Sequence, residues 1–415
     1  MFSASVGLSR NWEPFDAGEE IVINTLEKLE GEPKFFLLFP TIHFEKNNGF
    51  QKLLDGVFSQ LNKSTPLLGC TVAGFINPKG CYTRGVTSLA IADPDMQITV
   101  ALGKNAKKTP QKAAEEFANM IKKEKSKSNS GALFLILPGS TLPKDIFHRT
   151  RRISNSLLSS LFDKFFPLYL ALSKEGVAKE SEFINKLYSR ISEKMIGISA
   201  WDNNLGFSNY QFFGNRVLQN SAVGIHLSFS GETIIKYTTP LKIFSEKLLI
   251  TKKDNSNYLI NEINGLNAPD FFFKELKLEK KYLTEELLRK ITLGFPISAY
   301  YGTTLFNRVI GLYSDKFLGL TTALNTSEIY ISTASGSSII NSFDKVTDGG
   351  EKTNFVFGVS CAVLLEEVGS KVFEVKNILE KKQIKNFLFL FGGSEHFMNE
   401  VTPISSQESS VTTFF

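Results

Sequence analysis

The chain is poor in cysteine, histidine, tryptophan and methionine: 3 Cys, 4 His, 2 Trp and 5 Met in 415 residues. The thiols Cys70, Cys81 and Cys361 form neither an even disulfide framework nor a metal knuckle, and they fit a reducing compartment. An excess of one charge is also missing. The net charge of +5, from 47 basic and 42 acidic residues, gives no ground for the dominant basic face of a nucleic-acid binder. No apolar run reaches the roughly 18 residues of a membrane helix. The nearest, Leu157–Leu172, is broken by Asp163, Lys164 and Pro167. The opening stretch, MFSASVGLSRNWEPF, lacks an apolar signal core. These absences predict a cytoplasmic protein with no membrane insertion and no nucleic-acid partner. Walker, G-x-G-x-x-G, G-x-S-x-G and H-E-x-x-H motifs are absent, so no cofactor, metal or catalytic machinery is expected.

Phenylalanine is abundant, with 37 residues, and hydrophobic residues make up 42% of the chain. That is enough for a large core and, at this length, two domains. Apolar periodicity predicts a strand at Ser3–Ser9, a helix at Ala17–Leu29, a strand at Lys34–Phe39 and a helix at Gly49–Leu61. The stretch Leu67–Ile76, LLGCTVAGFI, runs from apolar into small residues, as a strand entering a tight bend does. Its glycines form either a ligand-facing floor or a close-packed junction. This β-α-β-α-β order favours an α/β fold with parallel pairs.

Gly85–Ala92 and Gln97–Leu102 read as adjacent strands around Asp93-Pro94-Asp95. A helix follows from Thr109, its cationic end Lys122–Lys127 reading as a solvated helix terminus. Ala132–Leu137 reads as a buried strand, and Lys144–Lys194 as helical throughout. The basic cluster His148–Arg152 within it is either a docking surface or an exposed helix start. Strands resume at Met195–Ser199, Gln211–Arg216 and Asn220–Phe229. Beyond a composition shift near Lys236–Thr251, short strands give way to a helix at Leu278–Leu293. Strands are then expected at Ala299–Asp315, Glu328–Thr333, Asn354–Leu365 and Asn386–Phe391, with helices at Ser337–Phe343 and Val368–Lys382. The expected architecture is α/β: two related halves, residues 1–235 and 236–415, with mixed β-sheets flanked by helices and a helical insertion at 144–194. A layered sandwich is one form this can take.

Several stretches, taken in order, resemble the FIST family. Gly69–Ile76 is similar to the GCTxAGEI element of the FIST N domain. Ile196–Asp202 is similar to its GG-x-A-gD element, and Gln211–Asn215 to the hairpin that follows. In the second half, Ile263–Pro269, Phe295-Pro296-Ile297, Asn307-Arg308-Val309, Phe357–Ala362 and Asn399–Ile404 resemble FIST C elements. The resemblance implies an intracellular sensory module that binds a small molecule, an amino acid or related metabolite. It also implies signalling through a separate partner protein, since no kinase, cyclase or F-box segment is evident. Departures bear on the ligand: Phe75 stands where relatives carry Glu, Asn399 where they carry Gly, and Leu364 in the region of a usual Arg.

The expected ligand site is a cleft between the halves, walled by Gly69, Cys70, Thr71, Gly74, Trp201, Asp202, Arg308, Gly393 and Glu400. Asp202 or Glu400 would take an ammonium and Arg308 a carboxylate. Gly392-Gly393-Ser394 is either an anion cradle or a plain turn. Two other readings stand beside this one. In one, Cys70 is an enzyme nucleophile, which needs a base or positive field; otherwise it is a packing residue. In the other, the protein is an adaptor without ligand, which needs a large exposed apolar patch. His396 and Glu400 are too few for a zinc site.

Overall fold

A computed structural model describes residues 2–124, 131–141, 152–153, 161, 164–165, 177–191, 193–228, 233–279, 283–399 and 402–415. Its architecture is mixed α/β. Helices cover the outer faces of several sheets, whose inner faces share one large core.

The apolar runs show why. In strand Phe35–Pro40, Phe35, Leu37 and Phe39 enter the shared core while Phe36 and Leu38 meet helices Pro14–Leu26 and Gly49–Gln60. Strand Gly131–Pro138 sends Phe134 and Ile136 inward, and Leu133, Leu135 and Leu137 to helices Pro110–Glu124 and Glu180–Tyr188. Strand Phe387–Gly392 sends Leu388 and Leu390 inward, and Phe387, Phe389 and Phe391 to helices Gly336–Val346, Ala362–Val368 and Val372–Lys381. Side chains alternate with period two, and both faces are covered, so no polar alternation survives in the sequence.

The first sheet runs in the order Ser3–Ser9, Val86–Ala92, Phe35–Pro40, Leu67–Cys70, Gln211–Phe213, Arg216–Leu218. Only Phe35–Pro40 and Leu67–Cys70 pair in parallel within it. The second runs Thr402–Ser406, Glu395–Asn399, Lys194–Ala200, Gly131–Pro138, Ser221–Ser228, Gln97–Lys104. The third runs Ile234–Thr238, Ser410–Phe414, Val356–Cys361, Phe387–Gly392, Gly74–Asn77, Gly80–Tyr82. A fourth sheet carries the hairpin Ile297–Tyr301 and Thr304–Arg308 at one edge. The second and third sheets thus pair strands from either side of residue 235.

Four expectations are corrected. Leu67–Ile76 is two strands, Leu67–Cys70 and Gly74–Asn77, which belong to different sheets. Val86–Ala92 and Gln97–Lys104 also part company: the turn between them carries the chain from one sheet to another. The strand expected over Asn354–Leu365 ends at Cys361, and Ala362 opens a helix. Within 144–194, the described residues include the short strand Arg152–Ile153 as well as helix Glu180–Tyr188. Residues 148–151, and nearly all of Leu157–Leu172, lie outside the described residues.

Candidate functional site

Arg308 ends the edge strand Thr304–Arg308, on the face it shares with Phe306. Its Cζ lies 4.8 Å from the Phe306 ring centroid. Its Nε donates to the carbonyl of Ala323 at 3.1 Å, and its Nη1 to the carbonyls of Ser405 at 2.7 Å and Asn307 at 3.0 Å. Nη2 donates to no described residue, and no described carboxylate forms an ion pair with this side chain. Burial lowers the Arg308 pKa to about 10, against the opposing pull of Glu180, so the guanidinium stays charged at neutral pH.

Arg308 lines a cavity of about 300 Å³. One wall is helix Glu180–Tyr188, through Ser181, Ile184 and Asn185. The hairpin gives Tyr300, Tyr301 and Phe306, and strand Thr402–Ser406 gives Pro403, Ile404 and Ser405. An adjoining cavity of about 440 Å³ shares Ser181, Asn185, Ala323 and Asn325, and adds Lys179, Glu182 and Tyr258. The walls therefore come from both sides of residue 235.

A buried polar layer lies behind the cavity. Glu180 accepts from the hydroxyls of Ser199, Thr322 (3.2 Å) and Ser405 (3.3 Å). Ser199 Oγ also meets His396 Nε2 at 3.0 Å. Burial lowers the His396 pKa to about 4, so the ring is neutral. Beyond it, Glu395 accepts from the backbone and side chain of Ser409 at 3.2 and 2.7 Å. Burial pushes the carboxyls of Glu395 and Glu408 well above the ordinary range. Both Glu408 oxygens lack a donor among the described residues, which fits a protonated acid.

The residues expected at the site fall into separate places. Gly69 and Cys70 sit in the core; a Cβ on Gly69 would lie 1.8 Å from the carbonyl oxygen of Leu38. Burial drives the Cys70 thiol far up, the reverse of an activated nucleophile. Thr71 stitches strands, its N–H donating to the Tyr210 carbonyl at 3.0 Å and its carbonyl accepting from Trp201 at 2.9 Å. Gly74 pairs with Phe391 inside the third sheet. Trp201 and Gly393 do come together, with a Gly393 Cβ position 2.6 Å from the indole. The void they line with Gln407 and Cys361 is only about 20 Å³. Asp202 is 2% exposed. Its oxygens accept from the backbone N–H groups of Leu205, Gly206, Phe207 and Ser208 at 2.8–3.4 Å. That carboxylate anchors the loop that follows it. Glu400 lies outside the described residues.

Sequence reasoning reached Arg308 but missed Tyr300, Tyr301, Asn185 and Ser405. Two adjacent tyrosines before Gly302, at a hairpin tip, were the available signal.

Among the described residues, no helix is long and apolar enough to cross a membrane. The family description "FIST N domain" matches residues 34–266. No curated protein matches the chain.

Proposed function

The chain belongs to the FIST family of sensory domains, and on that premise we propose that it binds a small anionic molecule in the Arg308 cavity. Binding would be passed to a separate signalling protein inside the cell. The carrying observation is a charged guanidinium whose Nη2 is unused, on the wall of a cavity of ligand size. Arginine stays charged and donates strongly to a carboxylate or phosphate. Here Nε and both Nη1 hydrogens are taken by backbone carbonyls, which fixes the guanidinium plane and leaves the two Nη2 hydrogens for a ligand oxygen.

The test is a thermal-shift and calorimetric screen of small carboxylates, phosphates and amino acids against the full chain. Binders are expected among the anions. Arg308→Gln should remove that binding, and Arg308→Lys should weaken it by about tenfold, since a charge-assisted hydrogen bond is worth about 1.5–3 kcal/mol. A screen without a single binder, or binding that survives Arg308→Gln, ends this reading.

A further inference from the structure

Among the described residues, the charge inventory of the Arg308 cavity is one-sided. Among the described residues that line it, Arg308 alone is charged. An α-amino acid brings an ammonium as well as a carboxylate, and an ammonium taken from water needs an anion or several acceptors. Glu180 is buried beneath the wall, with its oxygens already accepting from three hydroxyls. Asp202 is committed to its own loop. Glu182 lines the adjoining cavity and not this one, together with Lys179.

The second feature is planar apolar surface. Tyr301 stands at the hairpin tip, 57% exposed, on the face it shares with Phe306 and Arg308, while the Tyr300 ring meets Tyr330 at 5.8 Å on the other face. Ile184 and Ile404 close the opposite side. Large aromatic side chains left in water beside a cavity gain free energy when a flat apolar group covers them. Asn185 and Asn325 add neutral donors and acceptors suited to a ring hydroxyl.

We infer that the ligand is an aromatic monocarboxylate without an amino group, its carboxylate on Arg308 and its ring against Tyr301 and Phe306. This rests on the cavity being the ligand site, and it departs from the amino acids that the family resemblance implies.

Isothermal titration of the full chain with matched probes tests it: phenylacetate, 4-hydroxyphenylacetate and indole-3-acetate against phenylalanine, tyrosine, phenethylamine and hexanoate. The aryl acids should bind, with the amino acids about tenfold weaker or worse and the amine silent. Tyr301→Ala should weaken the aryl acids by about fivefold, in line with one aromatic contact, and leave hexanoate unchanged. Amino acids binding as tightly as the aryl acids overturn the inference while the anion site stands. Hexanoate matching the aryl acids overturns the aromatic half. If no anion of any kind binds, the underlying reading fails, and the inference with it.

Discussion

The junction at Leu67–Asn77 and the cavity at Arg308 both join residues far apart in the chain, but by opposite rules. At the junction, small residues let backbones close up: Val72 donates to Pro40, Ala73 to Phe391, and Trp201 to Thr71, at 2.9–3.1 Å. Almost no space remains beside Trp201. At the cavity, Tyr301, Phe306, Ile184 and Ile404 line an open space, and Arg308 Nη2 donates to no described residue. Glycine and cysteine clustered in a strand therefore mark close packing in this fold. The proposed ligand site is marked instead by an arginine without a carboxylate partner among the described residues and by an aromatic left in water.

Four measurements can break or sharpen that contrast. Gly69→Ala should cost the most, about 4 kcal/mol or the loss of soluble protein, because its Cβ would meet a backbone oxygen that cannot move aside. Urea denaturation reads it, and a change below about 1 kcal/mol would show that the junction is not tightly packed. His396 comes next. Its folded pKa of about 4 lies below the ordinary 6.5, so the unfolded chain binds more protons as pH falls between those values. Stability that is full above pH 6.5 should drop by an amount on the order of 3 kcal/mol by pH 4, and His396→Gln should remove that part of the slope. Glu395 and Glu408 act with the opposite sign, their raised pKa values stabilising at low pH and losing effect as pH rises. The wild-type minus His396→Gln difference separates the two. A flat difference curve would mean that the imidazole is solvated.

Asp202→Ala should cost about 2 kcal/mol, by leaving the N–H groups of Leu205 to Ser208 without their acceptor. It should leave anion affinity at Arg308 intact; loss of affinity without loss of stability would move the ligand site to the Trp201 loop. The smallest effect is expected for Tyr301→Ala, within about 0.5 kcal/mol of wild type in denaturation, as suits a residue that is 57% exposed. A large loss of stability there would make the hairpin tip a structural element and not a binding wall.

Most elements were legible in the sequence. Strand Glu328–Thr333 falls where alternation put it, and helix Gly49–Gln60 is bounded one residue short of its expected end. Sheet membership was not legible. The turn at Asp93-Pro94-Asp95 announces a reversal, but nothing local says whether the next strand pairs with the last. Helix Ala362–Val368 was hidden because its first residues, Ala362, Val363 and Leu364, are buried and continue the apolar run of strand Val356–Cys361 without a break in the pattern. The polar run Ser405–Ser410 misleads in the other direction. It reads as surface, yet these residues are buried; Ser405, Ser409 and Ser410 are answered by Arg308, Glu180, Glu395 and Ser360, while both Glu408 oxygens lack a donor among the described residues. The walls of the cavity come from segments that no spacing rule connects, so only Arg308, carried by its strand's resemblance, could be named beforehand.

The register of Gly74–Asn77 against Phe387–Gly392 has a consequence for how the chain is made. During synthesis, the earlier strand leaves the ribosome when its hydrogen-bonding neighbour has yet to be translated. Lys194–Ala200 waits in the same way for Glu395–Asn399. Until residues 387–399 emerge, both present unpaired backbone edges, which are sites for aberrant association. Nascent chains stalled before residue 387 should therefore depend heavily on chaperones, and emergence of residues 387–399 should complete both pairings together.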